Sequence, residues 1–193
     1  MSRSYAPWLH LFRALCVAAI GIAAPARAQK DSDRLLPHDP AHAVRAIDWC
    51  ATHMMKRELV QAISDCDYAV ASEPANSKAL SNRGSVWLLA GDPARALKDF
   101  ETALLLAPDA PDLYFNRGLA HARLGAREKA IADYTDAIRR DPSLAIAYHN
   151  RGFEHELAGR FKLALSDYRR ALDIAPELKP STDGITRLMR GRM

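Results

Sequence analysis

The sequence lacks the local patterns on which most catalytic sites depend. It holds three cysteines in 193 residues, and no two of them form a Cys-x-x-Cys pair. It contains no glycine-rich loop of the phosphate-binding kind, and no nucleophile is placed with a base and an orienting acid. We therefore expect no enzyme activity and no cofactor.

Excess charge is also missing once the N-terminus is set aside. The formal net charge of the whole chain is +4, but residues 1–28 contain three arginines and no acidic residue. The remaining residues carry 24 basic and 23 acidic side chains. Because the positive and negative charges nearly cancel, the sequence predicts neither a nucleic-acid partner nor attraction to an anionic membrane.

No hydrophobic run is long enough to predict a stable membrane span. The apolar residues 14–24 follow Arg3 and Arg13 and precede an Ala-Arg-Ala pattern, the order typical of a secretory signal peptide. As a helix, these 11 residues would measure about 17 Å, against about 30 Å for a bilayer core. We predict cleavage after Ala28, a polar linker over residues 29–42, and an exported, periplasmic protein. An uncleaved anchor is the alternative.

What the sequence does contain is a period of 34 residues. Prolines mark it at positions 74, 108, 142 and 176, and the tripeptide Asn-Arg-Gly recurs at 82–84, 116–118 and 150–152. Each unit also carries two alanines seven residues apart. Between the two alanines lie Cys66, Phe100, Tyr134 and Tyr168 in the four successive units, respectively. A period kept through four units without an insertion predicts a repeat protein.

The spacing resembles that of the tetratricopeptide repeat over residues 43–176. The fourth unit shows the pattern best, with Tyr148, Gly152, His155, Gly159, Ala164, Tyr168, Ala171 and Pro176. The resemblance implies an all-α fold, a right-handed solenoid of antiparallel helix pairs. The repeats would span residues 43–76, 77–110, 111–144 and 145–178, and residues 179–193 would form a C-terminal cap. The family also implies a non-catalytic function in protein binding.

The hydrophobic spacing within a unit independently predicts two packed helices. In the fourth unit Tyr148, Arg151, Gly152 and His155 fall at i, i+3, i+4 and i+7, which is one stripe of a helix. Gly159 then separates this front helix from the back helix of the same repeat. A single hairpin of this size buries too little surface to be stable alone, so neighbouring repeats must stack.

Charged residues recur at fixed positions on the two helices of a repeat. Because antiparallel helices bring these positions to one level, we predict three structural ion pairs, Arg83–Asp99, Arg117–Asp133 and Arg151–Asp167. A partly exposed pair of this kind contributes up to about 1 kcal/mol. The first repeat has Trp49 and Asp65 instead and should lack the pairing. A ligand-binding role for these residues is the alternative.

Cys50 and Cys66 replace the glycine and the aromatic residue that face each other across a hairpin in the tetratricopeptide family. A disulfide needs Cα atoms about 4.4–6.8 Å apart, which close packing of the hairpin would allow. In an oxidising compartment, closing this loop would stabilise the fold by about 3 kcal/mol. We therefore predict a structural disulfide. Two buried thiols, or a redox-active or metal-binding pair, remain alternatives.

The inner face of the front helices is the predicted binding groove. An asparagine recurs there in three repeats, and its amide suits the backbone of an extended peptide, since it both donates and accepts hydrogen bonds. The candidate groove residues are Lys78, Asn82, Asn116, Leu119, Arg123, Asn150, Phe153 and Leu157. The alternative is that the asparagines serve the packing of the repeats. Asp112 lies between the two groove cations, which argues against capture of a C-terminal carboxylate.

These features together predict a protein or peptide partner, held in the groove within the cell envelope. The alternative is a structural subunit of an envelope assembly that docks by its convex face or by the ends of the solenoid. The identity of the partner and the oligomeric state do not follow from the sequence.

Overall fold

The computed structural model describes residues 40–190, with side chains described from residue 44 onward. The predicted signal peptide, and the predicted linker up to residue 39, lie outside the described residues. Over the described range the chain is all-α, and the first helix begins at Pro40, ahead of the predicted start of the first repeat. None of the helices in this range has the length and apolar character needed to cross a bilayer.

Nine helices follow one another along residues 40–190. They are α1 (Pro40–Met55), α2 (Leu59–Ser72), α3 (Ser77–Leu89), α4 (Pro93–Leu106), α5 (Pro111–Arg123), α6 (Arg127–Arg140), α7 (Ala145–Leu157), α8 (Phe161–Ile174) and α9 (Lys179–Arg190). The odd-numbered helices α1 to α7 are the front helices, and the even-numbered ones are the back helices. Each front helix packs on the back helix that follows, and each back helix packs on the next front helix. This is the arrangement of stacked helical hairpins.

Short polar residues and glycines set where these helices begin and end. The side chain of Asn76 accepts hydrogen bonds from the backbone N–H groups of Lys78 and Ala79 at the start of α3. Asp92 caps α4, which has proline in its first turn. The last three hairpins turn through a glycine with φ between +71° and +81°. The first hairpin has no glycine there, and Arg57 adopts a φ of +59° instead.

The core of each later hairpin is a glycine set against an aromatic ring. Phe100, Tyr134 and Tyr168 are at most 1% exposed. A Cβ atom added to Gly118 would lie 2.7 Å from the ring of Tyr134, so only glycine allows the helices to approach this closely. The recurring alanines of the back helices are also buried. The small residues of the period therefore fix the distance between the helices.

Helix α9 covers the end of the fourth repeat. Gly184 of α9 packs against the edge of the Tyr168 ring opposite the edge that Gly152 contacts. A Cβ atom added to Gly184 would lie 2.5 Å from the ring. Ser181 is fully buried, and its hydroxyl lies 3.0 Å from Nδ1 of His149. Arg187 donates two hydrogen bonds to Glu156. The cap is therefore held by both packing and polar contacts.

Candidate functional site

The front helices bring most of the predicted groove residues together on one face. On α5, Asn116, Leu119 and Arg123 lie at i, i+3 and i+7, so they share one side of the helix. On α7, Asn150, Phe153 and Leu157 repeat this arrangement. We refer to this face of α3, α5 and α7 as the groove.

Two adjacent pockets open in the groove. The upstream pocket, of about 250 Å³, lies between α3 and α5 and is lined by Ser85, Leu88, Leu89, Asn116, Leu119 and Arg123. The downstream pocket, of about 280 Å³, is lined by Leu119, Ala122, Arg123, Tyr134, Asn150, Phe153, Glu154 and Leu157. Leu119 and Arg123 border both pockets. Six of the eight candidate groove residues thus converge, whereas Lys78 and Asn82 line neither pocket.

The three groove asparagines are not equivalent. The side-chain amide of Asn82 donates a hydrogen bond of 3.4 Å to the backbone carbonyl of Ile47 on α1, so it connects the first two repeats. Asn116 and Asn150 make no hydrogen bond through their side chains to any residue that the structure describes. The structure therefore gives Asn82 a packing contact and leaves the amides of Asn116 and Asn150 available to a ligand.

The lining of the two pockets combines exposed apolar side chains with a cation, Arg123. Leu89, Phe153 and Leu157 are 41% to 52% exposed, which is high for large apolar residues that line pockets. Arg123 is exposed and has no carboxylate partner within residues 44–190. A surface of this composition is suited to a ligand that has both apolar groups and a negative charge.

The floor of the downstream pocket holds two buried polar residues that sequence reasoning missed. Tyr134 is 1% exposed, and its hydroxyl has no hydrogen-bond partner in the described part of the chain. Burial, with a smaller effect from Glu154, raises the pKa of Tyr134. Glu154 is 7% exposed and lies 3.3 Å from Nε of Arg127. Its pKa is raised by burial, an effect that Arg127 partly opposes.

A signal for Glu154 was present in the repeat pattern. The equivalent positions in the second and third repeats are Val86 and Ala120, both fully buried. A carboxylate at a position that is apolar in the two preceding repeats breaks the pattern, and such a break marks a local polar requirement. Tyr134 gave no comparable signal, because an aromatic residue is expected at its position.

The recurring charges form bidentate ion pairs beside the groove. Arg83 donates to Asp99 at 2.9 and 2.7 Å, Arg117 donates to Asp133 at 2.9 and 2.6 Å, and Arg151 donates to Asp167 at 2.9 and 2.7 Å. The three aspartates are buried and the arginines are partly exposed. None of the six lines a groove pocket. Hydrogen bonding to the aspartates raises the pKa of Arg83 and Arg117.

Two of these arginines also connect neighbouring repeats. Arg83 reaches back to Asp67 on α2 at 3.1 Å, and Arg151 reaches back to the hydroxyl of Thr135 on α6 at 3.1 Å. Each guanidinium therefore bonds to its own repeat and to the one before it. This arrangement stabilises the stacking of the hairpins.

Histidines pack against the same aspartates. Nε2 of His121 lies 3.8 Å from Asp133, and Nε2 of His155 lies 4.0 Å from Asp167. Burial lowers the pKa of both histidines, although the nearby aspartates oppose this effect. In the first repeat Nδ1 of His53 lies 2.5 Å from Asp65. That repeat has no arginine at the pairing position, so a histidine contacts its aspartate instead.

Cys50 and Cys66 form a disulfide within the first hairpin. Their Cα atoms are 5.1 Å apart, and both residues are fully buried. The bond lies outside both groove pockets. Within the described range, no three His, Cys, Asp or Glu side chains converge as they would around a metal ion.

Comparison with known proteins places this geometry in a family. Models of the tetratricopeptide repeat match residues 88–145 and 145–178. No curated protein matches the chain. Among solved structures, the MamA protein is similar with a TM-score of 0.69 and 20% identity, covering 78% of this chain and 82% of MamA.

Two further structures are similar over a shorter range. The TPR domain of OM64 from Arabidopsis has a TM-score of 0.58 and 27% identity, covering 59% of this chain and 94% of that domain. The first TPR of Spaghetti (RPAP3), bound to the HSP90 peptide SRMEEVD, has a TM-score of 0.58 and 23% identity. That match covers 60% of this chain and 91% of the other.

Proposed function

Because the chain belongs to the tetratricopeptide repeat family, we propose that it is a non-catalytic protein-binding module that holds a segment of a partner protein in its groove. The observation that carries the proposal is the pair of adjacent pockets, bordered by the amides of Asn116 and Asn150, which have no hydrogen-bond partner in residues 44–190. Apolar walls would take partner side chains, and the amides would bond to the partner backbone.

One structural relative supports peptide binding as the mode. The RPAP3 repeat domain is bound to an HSP90 peptide with two consecutive glutamates. The likeness in fold makes a peptide an appropriate class of ligand to test. It does not extend to the sequence of the peptide, because one repeat scaffold serves many ligands.

We further propose that the protein works in an oxidising envelope compartment. Disulfides persist in exported proteins and are rare where thiols are kept reduced. The buried Cys50–Cys66 bond is consistent with export, as is the signal-like pattern of residues 1–28. Fractionation of cells that express the tagged full-length chain would test this proposal, and recovery only with cytosolic markers would refute it.

The main test is capture of partners from the envelope fraction with matched variants. A groove variant, Asn116→Ala/Asn150→Ala, removes two amides that have no partner within the described residues. Leu105→Ser is the matched surface control, since Leu105 lies on back helix α4 and is 85% exposed. Each variant is first shown by circular dichroism to be helical and to unfold cooperatively.

Three outcomes are distinguishable. A partner bound by the wild type and by Leu105→Ser, but lost with the groove variant, supports binding in the groove. Loss with Leu105→Ser alone favours the second candidate, a structural subunit that docks by its back helices, for which the neighbouring exposed Leu105 and Leu106 are the specific observation. Partners that bind all three proteins equally refute the proposed use of the groove.

A further inference from the structure

At the junction between the fourth repeat and the cap, the tyrosine hydroxyl has a carboxylate as its hydrogen-bond acceptor. The hydroxyl of Tyr168 donates a hydrogen bond of 2.6 Å to a carboxylate oxygen of Glu156 on α7. Arg187 on α9 donates to the same carboxylate at 3.0 and 2.9 Å. A carboxylate is therefore held between a phenol and a guanidinium, and the cap closes over it.

One repeat earlier, the same position lacks its carboxylate. Tyr134 is the equivalent of Tyr168 and packs on Gly118 as Tyr168 packs on Gly152. Ala122 stands where the fourth repeat has Glu156, and Phe153 stands where the cap has Arg187. The hydroxyl of Tyr134 consequently has no partner among the described residues, and both Tyr134 and Ala122 line the downstream pocket.

The Tyr134 ring is almost completely buried, whereas its hydroxyl is not fully enclosed and lies at the lining of the downstream pocket. The accessible part of Tyr134 is therefore its polar end, which has no hydrogen-bond partner among the described residues. The pocket gives a ligand access to this hydroxyl. A group that accepts a hydrogen bond there would complete the arrangement that the fourth repeat completes with its own Glu156.

The charges around the downstream pocket favour an anion as that group. Arg123 lies at the border with no carboxylate partner in the described range, and it is one of the charges that act on Tyr134. Glu154 is the acidic residue of the pocket lining, and it is already paired with Arg127. Asp133 also acts on Tyr134, and it is paired with Arg117. Because both acids are paired, the charge of Arg123 is left to attract a ligand carboxylate.

We propose that the downstream pocket binds an acidic side chain of the partner segment, with the Tyr134 hydroxyl donating to its carboxylate and Arg123 pairing with its charge. Leu119, Phe153 and Leu157 would contact apolar residues on either side of that acidic residue. The proposal rests on the proposed groove function and adds to it the chemistry of one subsite. We assign a side chain because the carboxylate in the fourth repeat is itself delivered by a side chain.

The test uses short peptides that differ in one functional group. Ac-Leu-Glu-Leu-NH2 carries the carboxylate, and Ac-Leu-Gln-Leu-NH2 is its uncharged counterpart of nearly equal shape. A third peptide, Ac-Leu-Gln-Leu with a free C-terminus, places the carboxylate at the chain end. Binding is followed by NMR, through the ring signals of Tyr134 and the Nε–H signal of Arg123.

Two single variants of the full chain, and the double variant that combines them, are tested with the same peptides. Tyr134→Phe removes the hydroxyl and keeps the ring that packs on Gly118, and Arg123→Gln removes an exposed charge. Arg139→Gln is the control, because Arg139 is exposed on back helix α6 and lines neither pocket. We expect wild type and control to bind the glutamate peptide about tenfold more tightly than the glutamine peptide. Each groove substitution should reduce this ratio, and the double variant should bring it close to one.

The outcomes separate this inference from the proposed function. Equal binding of the glutamate and glutamine peptides by wild type, or no shift at Tyr134 with either, overturns the subsite. A preference that persists in the double variant overturns it too, since the carboxylate would then bind elsewhere. Tighter binding of the peptide with a free C-terminus overturns the assignment to a side chain. In each case a partner that still depends on Asn116 and Asn150 would leave the groove function standing.

Discussion

Cys50 and Cys66 join α1 to α2 with their Cα atoms 5.1 Å apart, at the level where each later hairpin sets a glycine against an aromatic ring. Among the described residues, the first hairpin has one neighbouring repeat, whereas the inner hairpins have two. It also turns through Arg57 at a positive φ, which is unfavourable for a residue other than glycine. The disulfide therefore closes the hairpin that is otherwise least supported.

Removal of the disulfide should destabilise the first hairpin selectively. For Cys50→Ala/Cys66→Ala we expect the free energy of unfolding to fall by about 3 kcal/mol, because the closed loop restricts the unfolded chain. Hydrogen exchange should accelerate in α1 and α2 and change little in α7 and α8. The wild type treated with reductant is the control for effects of the alanines themselves. An unchanged urea midpoint would contradict a stabilising role for the bond.

The repeat period made most of the fold predictable. The periodic prolines, glycines and alanines lie at turns or at helix contacts, where only small or conformationally special residues fit. Their positions therefore predicted eight helices and the cap. The start of α1 at Pro40 was less predictable, since its first residues precede the periodic positions. Helix ends are set by local hydrogen bonding, which a repeat pattern does not specify.

The site was predictable in outline and not in detail. Helical spacing identified six of the residues that line the two pockets. It did not distinguish Asn82, whose amide bonds to a carbonyl of the preceding repeat, from Asn116 and Asn150. It also missed the contact between His53 and Asp65, and the polar floor formed by Tyr134 and Glu154. These features depend on distances between repeats, which the period of one repeat does not contain.

The Arg117–Asp133 pair predicts an asymmetric response to mutation. Asp133 is buried, so Arg117→Met would leave a carboxylate without its main partner, and we expect a loss of about 3 kcal/mol. Arg139→Met is the control; Arg139 pairs with Asp136 at the surface, and its loss should cost less than about 1 kcal/mol. Chemical denaturation near neutral pH measures both. Similar losses for the two variants would contradict the structural importance of the buried pair.

The same substitution should move the titration of His121. Burial lowers the pKa of His121, and Arg117 adds to the lowering while Asp133 opposes it. With Arg117 removed, we expect the pKa of His121 to rise toward or above its ordinary value. An NMR titration of the imidazole in wild type and Arg117→Met measures this change. A pKa that stays fixed would show that Arg117 does not act on His121.

Stability should fall as the pH drops below neutrality. Burial is the main cause of the lowered pKa of His121, His149 and His155, so these histidines release protons more readily in the folded state than in the unfolded state. At pH values between the ordinary pKa of 6.5 and the lowered pKa, the unfolded chain binds more protons than the folded chain. The free energy of unfolding therefore decreases as the pH falls through this range. Urea midpoints at about pH 7.5 and about pH 5.5 test this direction.

His155→Phe should weaken that pH dependence. Nδ1 of His155 is buried and has no hydrogen-bond partner in the described structure, so the loss of this nitrogen should cost little. Trp87 shows that an aromatic residue fits the equivalent position of the second repeat. We expect a similar stability near pH 7.5 and a smaller loss near pH 5.5 than in the wild type. An equal loss in both proteins would exclude His155 as a source of the effect.

The distance between the helices of a hairpin should set the cost of adding one methyl group. At Gly118 the added Cβ would lie 2.7 Å from the Tyr134 ring, whereas at Gly152 its nearest contacts are at 3.1 Å. Alanine favours the helix by about 1 kcal/mol over glycine, which offsets part of the steric cost at both positions. We expect Gly118→Ala to destabilise by about 1–3 kcal/mol and Gly152→Ala to destabilise less. Gly118→Ala should also shift the ring of Tyr134 and weaken binding in the downstream pocket, whereas Gly152→Ala should leave that binding nearly unchanged. Equal effects of the two substitutions on stability, measured by urea denaturation, would show that the helices relax freely and that the ring contact does not fix the hairpin.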